Sequence, residues 1–326
     1  MRRLFFLVLF IFGIMLGIPR TPITVPPRID KTPVATDPLL SIKVYYVPTG
    51  EVLEMDLEDY IQGVVASEMP ASAGIEALKA QAIAARTIAV RKMKVLGGTP
   101  SRPDADVTSD HRIDQAWNPE SVLREKWGSV TFWLNWPKVV RACQETQGLI
   151  LTYRGLPCEA VYHSTCAGST EAAKDVWTQN VPYLQSVSCN FCSDSPHYRP
   201  QTVSIPISTV SSALAEAGAS IPVSTIRAGG TLAISQVSPT GRVKEVLVNG
   251  QKIRGLEFRM ALGLRSTRIL SFAVKGDSVV FQVKGYGHGV GMCQYGAMGM
   301  AKQNRTHQEI LAFYYPDTKV TAIFEE

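Results

Sequence analysis

Several absences narrow the chemistry of this chain before any residue is given a role. There is no GK[ST] segment, and the glycine-rich stretch Gly285-Tyr-Gly-His288-Gly-Val-Gly291 does not satisfy GxGxxG spacing, which argues against a nucleotide-phosphate loop. There is no HExxH pair and no Cys-His hydrolase signature, which weakens any reading as a zinc or thiol hydrolase built on Cys166 and His163. Charge of one sign is also scarce. With 33 Lys and Arg against 28 Asp and Glu, the net charge is +5 and includes two N-terminal arginines. That excess does not argue for nucleic acid; a solvated surface weakly drawn to an anionic face accounts for it. No internal repeat is visible.

Long hydrophobic runs are nearly absent as well. Leu4 to Ile18 is uninterrupted, follows Arg2 and Arg3, and ends at Pro19-Arg20. As a helix it spans about 22 Å against a hydrocarbon core of roughly 30 Å, so it suits a signal h-region as well as a membrane anchor. No convincing pair of small residues marks a cleavage site between Ile11 and Thr24. Residues 1–20 are therefore read as an uncleaved anchor in preference to a signal, with the arginines cytoplasmic and the rest of the chain outside. Residues 21–40 are a proline-rich linker, and 41–326 form the folded domain.

Within that domain, the alternating Ser41 to Val47 and the extended Val52 to Met55 predict a hairpin. Two helices flank Pro70, the second rich in Ala, Leu, Lys and Gln and closing near Gly97-Gly98. A helix is expected from Val139 to Gln147. The strand Leu149–Tyr153 is expected to turn at Arg154-Gly155 into Cys158–His163 as a hairpin. Asn249-Gly250 marks a tight turn, and Thr306 with Glu309 a capping box. Strands and helices do not alternate, so the expected fold class is α+β with mostly antiparallel sheet, and residues 204–270 are a candidate smaller lobe.

The residue that points to chemistry is Glu68, at the end of Tyr60-Ile-Gln-Gly-Val-Val-Ala-Ser-Glu68-Met-Pro70. A carboxylate in the last turn of a helix faces the negative end of the dipole, and Val64, Val65 and Met69 would strip water from it. Both effects raise its pKa and favour a proton donor. The structural alternative is a helix-end glutamate turned to solvent or paired with Lys79.

The run Tyr60 to Arg86 resembles the stage II sporulation protein D family, whose domain also occurs in amidase enhancers. Further blocks are similar to the same family: Ala160 to Thr170, Asp175-Val-Trp177, Val181-Pro-Tyr183, Gly255 to Thr267, Gly285 to Ala297 and Tyr314-Tyr-Pro316. The resemblance implies a peptidoglycan lytic transglycosylase of sporulation engulfment with Glu68 catalytic. Arg86, His288, Gln294 and His163 would bind substrate. The implied partners are glycan strands stripped of peptide, a cell-wall amidase and membrane proteins of the engulfment machinery, with no nucleic acid. The alternative is a non-catalytic, glycan-binding enhancer of an amidase.

No cofactor is expected. A zinc ion at His163, Cys166, Cys189 and Cys192 is the lesser alternative, in competition with disulfides among the six cysteines. Family members often carry a Cys-Asp-x-x-His-Cys-Gln stretch. Here Ser109-Asp-His-Arg-Ile-Asp114-Gln115 replaces both cysteines, so a metal tied to that stretch is not expected.

Overall fold

The computed structural model describes residues 40–177 and 179–324. The expected anchor and nearly all of the proline-rich linker lie outside the described residues, among which no helix is long and apolar enough to cross a membrane.

The fold begins with strand β1 (Ser41–Tyr46), whose Ile42, Val44 and Tyr46 face inward at alternate positions. It pairs antiparallel with β2 (Glu51–Asp56), as the sequence predicts. Asp56 then caps helix α1 (Leu57–Glu68), its carboxylate accepting the Glu58 amide at 2.7 Å. Pro70 ends α1, because Met69 before it is held extended at φ −107° and ψ 143°. Helix α2 (Ile75–Lys92) follows. Its many alanines let other elements approach on every side, so it runs through the core against α1 and buries even Gln81, Arg86 and Thr87.

A short strand β3 (Val107–Thr108) joins β1 in parallel. Residues 115–118 then cross the C-terminal half of α1, where Trp117 stacks on Tyr60 and meets Tyr46 edge-on. Gly63 makes room for this crossing: a Cβ there would lie 2.3 Å from Trp117 Nε1. Gly63→Ala is expected to cost about 1–3 kcal/mol by overpacking, measurable as a lower midpoint in chemical denaturation.

Helix α3 (Glu120–Trp127) leads into α4 (Ser129–Gln144), which starts well before the expected Val139 and continues through Pro137. Pro137 reads as a stop signal, and the exposed Val130, Trp133 and Leu134 hide the helical period. Strand β4 (Leu149–Tyr153) turns into β5 (Leu156–Pro157), and there the expected hairpin stops. The next strand, β6 (Tyr162–His163), instead pairs in parallel with β13 (Met292–Cys293), far along the chain. Helix α5 (Ala173–Val176) follows β6.

The segment from β7 (Gln201–Pro206) to β12 (Ser278–Val283) gathers its own apolar cluster, including Val210, Leu214, Val246, Phe258 and Phe281. Helices α6 (Ile207–Glu216), α7 (Val223–Arg227) and α8 (Gly255–Ala261) pack with two antiparallel sheets. One is β8 (Leu232–Val237), β9 (Val243–Val248) and β10 (Gln251–Arg254), with β9 central; the other is β11 (Ile269–Lys275), β12 and β7, with β12 central. Asn249 and Gly250 join β9 to β10 with φ of 50° and 83°, the turn their sequence predicts.

The chain closes with α9 (Gln294–Lys302), α10 (His307–Tyr314) and β14 (Lys319–Ala322), which returns to pair with β4. The capping box at Thr306 and Glu309 forms as expected. The architecture is α+β with mostly antiparallel sheets.

Candidate active site

Glu68 is the last residue of α1 and is half-buried. Its Oε1 accepts the Ala116 amide at 2.9 Å, and its Oε2 accepts Gln294 Nε2 at 3.2 Å. Three distant segments therefore meet at one carboxyl: the end of α1, the crossing at 115–118, and the start of α9. Loss of water raises the Glu68 pKa above the usual carboxylate range. The Ala116 and Gln294 donors and the charge of His111 oppose that rise without cancelling it.

A buried polar network surrounds the acid. Tyr162 donates to Gln115 Oε1 at 2.7 Å, and Gln115 Nε2 lies 3.4 Å from Tyr60 Oη and 3.3 Å from the Ala85 carbonyl. Gln294 also reaches Gln81 Oε1 at 3.5 Å. Burial pushes both phenols upward, and the negative charge of Glu68 adds to the effect, so Tyr60 and Tyr162 stay neutral. Asp114 also acts on Tyr60; its carboxylate accepts from Ser101 Oγ and the Thr108 amide, each at 2.7 Å, and pairs with Lys92 at 3.9 Å.

The glycine-rich loop sits beside this network through β6 and β13. His288 accepts the Val290 amide at Nδ1, 3.2 Å away, and donates from Nε2 to the Tyr162 carbonyl at 2.9 Å. Burial, then the charge of Arg259, lowers its pKa to about 4, so the ring is neutral. Both nitrogens are occupied within the protein, and the ring lies 5.1 Å from that of Trp177. The glycines make room for the protein itself, where the sequence reading expected a ligand. A Cβ on Gly289 would strike the Arg242 guanidinium at 2.7 Å, and one on Gly291 would strike the Val161 carbonyl at 2.0 Å.

Two of the expected substrate-binding residues are buried on protein partners. Arg86 is fully buried and faces away from Glu68: Nε and Nη2 grip the Glu58 carboxylate at 2.8 and 2.5 Å, and Nη1 donates to the Leu149 carbonyl at 3.0 Å. Glu58 lies at the opposite end of α1, about 15 Å along the helix from Glu68. Arg86 thus clamps Glu58 and Leu149 together and does not pair with Glu68. His163 is also buried, with Nδ1 on the Val290 carbonyl at 3.0 Å, and burial drives its pKa well below the ordinary value. It is absent from the thiol cluster, in which Cys293 joins Cys166, Cys189 and Cys192.

The sequence reading missed Gln81, Gln115, Tyr60 and Tyr162. A glutamine in the middle of an alanine-rich buried helix was the available signal for Gln81. The others become legible only when 115–118 is known to cross α1.

A profile of the stage II sporulation protein family matches residues 46–153, a stretch that contains Glu68. The chain is 35% identical over 303 residues to the stage II sporulation protein D of Bacillus subtilis (strain 168), covering 90% of this chain and 85% of that protein. It is 36% identical over 303 residues to the protein of the same name from Bacillus amyloliquefaciens, covering 90% and 81%. An amidase enhancer of Bacillus subtilis (strain 168) is 28% identical over 307 residues, which are 80% of this chain and 40% of that protein.

Proposed function

Because the chain belongs to the stage II sporulation protein D family, we propose that it acts on the cell wall in sporulation as a peptidoglycan lytic transglycosylase. The observation that carries this reading is Glu68: a half-buried carboxyl of raised pKa, held by two donors among neutral tyrosines and amides. Such a group is protonated in a larger fraction of molecules near neutral pH than an ordinary glutamate, and can give its proton to the oxygen between N-acetylmuramic acid and N-acetylglucosamine. As a carboxylate it then takes the proton of the muramyl 6-hydroxyl as that oxygen closes on the anomeric carbon. The product is a 1,6-anhydro sugar. Glycosidases that use water or a side chain as nucleophile need a second carboxylate; here the substrate supplies its own.

The surroundings suit that chemistry. The neutral His288 places no positive charge beside an oxocarbenium-like transition state, and with Trp177 it offers ring surface to a sugar. Gln294 and Ala116 N–H fix the carboxyl's orientation and keep its pKa from rising further. Gln294→Ala is therefore expected to raise the Glu68 pKa and move the alkaline limb of kcat/KM to higher pH. A limb that stays in place, or moves to lower pH, would show that Gln294 does not act on the acid.

We place the domain outside the cytoplasm on an N-terminal anchor, working on glycan that an amidase has stripped of peptide. The similarity to an amidase enhancer supports a second reading, in which the domain binds glycan and stimulates a partner amidase without cleaving. Digestion of peptide-stripped glycan strands with the purified protein separates the two. New anhydromuramyl ends in the product masses support the transglycosylase; none, together with faster peptide release by an added amidase, supports the enhancer.

A further inference from the structure

Four thiols that the cleavage chemistry does not use converge at one point. Cys166, Cys189, Cys192 and Cys293 are all buried, and their sulfurs lie within 4.8 Å of one another, with Cys166 and Cys192 3.5 Å apart. They come from three segments: the turn after β6, a Cys-x-x-Cys loop, and the end of β13. We propose that these four cysteines form a structural zinc site.

The geometry favours one small ion. Zinc held by four thiolates at about 2.3 Å puts sulfurs about 3.8 Å apart in a tetrahedron, the scale seen here, whereas an iron–sulfur cluster spreads its cysteines farther. Two disulfides would instead gather the sulfurs into two pairs at about 2 Å.

The groups around the sulfurs are those that thiolates require. Cys293 Sγ accepts the Cys166 amide at 3.2 Å and the Gly296 amide at 3.3 Å, and Tyr314 Oη lies 3.2 Å from Cys189 Sγ. Amide and hydroxyl donors to sulfur stabilise negative charge and orient the ligands. The turn that aims Cys166 is held in an unusual conformation, with Ala167 at φ 61° and Gly168 at φ 123°. Two cations stand over it. Arg242 Nη2 donates to the Cys166 carbonyl at 3.1 Å, and Arg268 Nη1 to the Ala167 carbonyl at 3.1 Å. Four thiolates on a divalent ion carry a net charge of −2, and the buried guanidinium of Arg242 with that of Arg268 offsets it.

The site has a consequence for the acid. Cys293 is the N-cap of α9, and the next residue is Gln294, which binds Glu68. Zinc would pin the β6 turn, the Cys-x-x-Cys loop and the α9 N-terminus together, and so fix Gln294 against the carboxyl.

The test uses the full chain, purified without added metal or chelator. One equivalent of zinc per chain by elemental analysis is expected, with six free thiols once the protein is denatured and the metal removed. A Cys189→Ser, Cys192→Ser double variant is expected to hold less than a tenth of an equivalent, while Cys143→Ser and Cys158→Ser retain it. If the double variant does not fold, cobalt exchanged into the wild type serves instead: intense near-ultraviolet sulfur-to-cobalt absorption supports the site. Metal-free wild type, iron in place of zinc, only two free thiols, or cobalt without that absorption would overturn it.

Discussion

Glu68→Gln is expected to leave a folded protein that releases anhydromuramyl ends roughly 10²–10⁴-fold more slowly than the wild type, the range that a positioned acid and base contributes. The amide has the shape of the carboxyl, so its oxygen still accepts the Ala116 N–H, while its new NH2 requires Gln294 to flip and present its oxygen in place of Nε2; with that flip the α1 terminus keeps its place. It has no proton to give to a leaving oxygen and no basicity to receive one from the 6-hydroxyl. Stability is expected to hold or rise slightly, because the substitution removes a carboxyl that burial already disfavours in its charged form. The measurement is the count of anhydro ends by mass, read with the thermal midpoint of both proteins. As many ends from Glu68→Gln as from wild type would remove Glu68 from the mechanism, and a collapsed midpoint would show that the loss came from unfolding.

What could be read from the chain depended on how local the cause was. Alanine content gave α2, the Asn249-Gly250 pair gave a hairpin, Thr306 with Glu309 gave a helix start, and Met69-Pro70 marked the end of α1. The environment of Glu68 was legible for the same reason, since its dehydrating neighbours are on its own helix. Partners brought together by folding were not. Glu58 lies 28 residues before Arg86, and Cys293 lies 127 residues after Cys166; no periodicity links either pair. The hairpin expected through His163 is absent because β6 instead pairs in parallel with β13, which turns the imidazole toward Val290 and brings Cys293 to the thiols.

Arg86 is where that lesson has its largest energetic expression. Its guanidinium sits wholly inside the protein, forked onto Glu58 and reaching the carbonyls of Leu149 and Cys143. Glu58 in turn accepts the Gly148 amide at 3.3 Å, so the pair ties the start of α1 to the junction between α4 and β4. Arg86→Met is expected to destabilise the domain by about 3–5 kcal/mol, because it leaves the mostly buried Glu58 carboxylate without its counter-charge, with the Gly148 amide still donating to it, and takes from the Leu149 carbonyl its side-chain donor. At about 2–4 °C per kcal/mol for a domain of this size, the thermal midpoint should fall by roughly 10 °C. Arg86→Lys should not restore it, since an ammonium cannot reproduce the planar fork. Adding Glu58→Gln to Arg86→Met should recover part of the loss, a coupling that a double-mutant cycle reads directly. At low temperature the folded fraction of Arg86→Met should cleave glycan with an unchanged KM. A raised KM at wild-type stability would instead return Arg86 to the substrate.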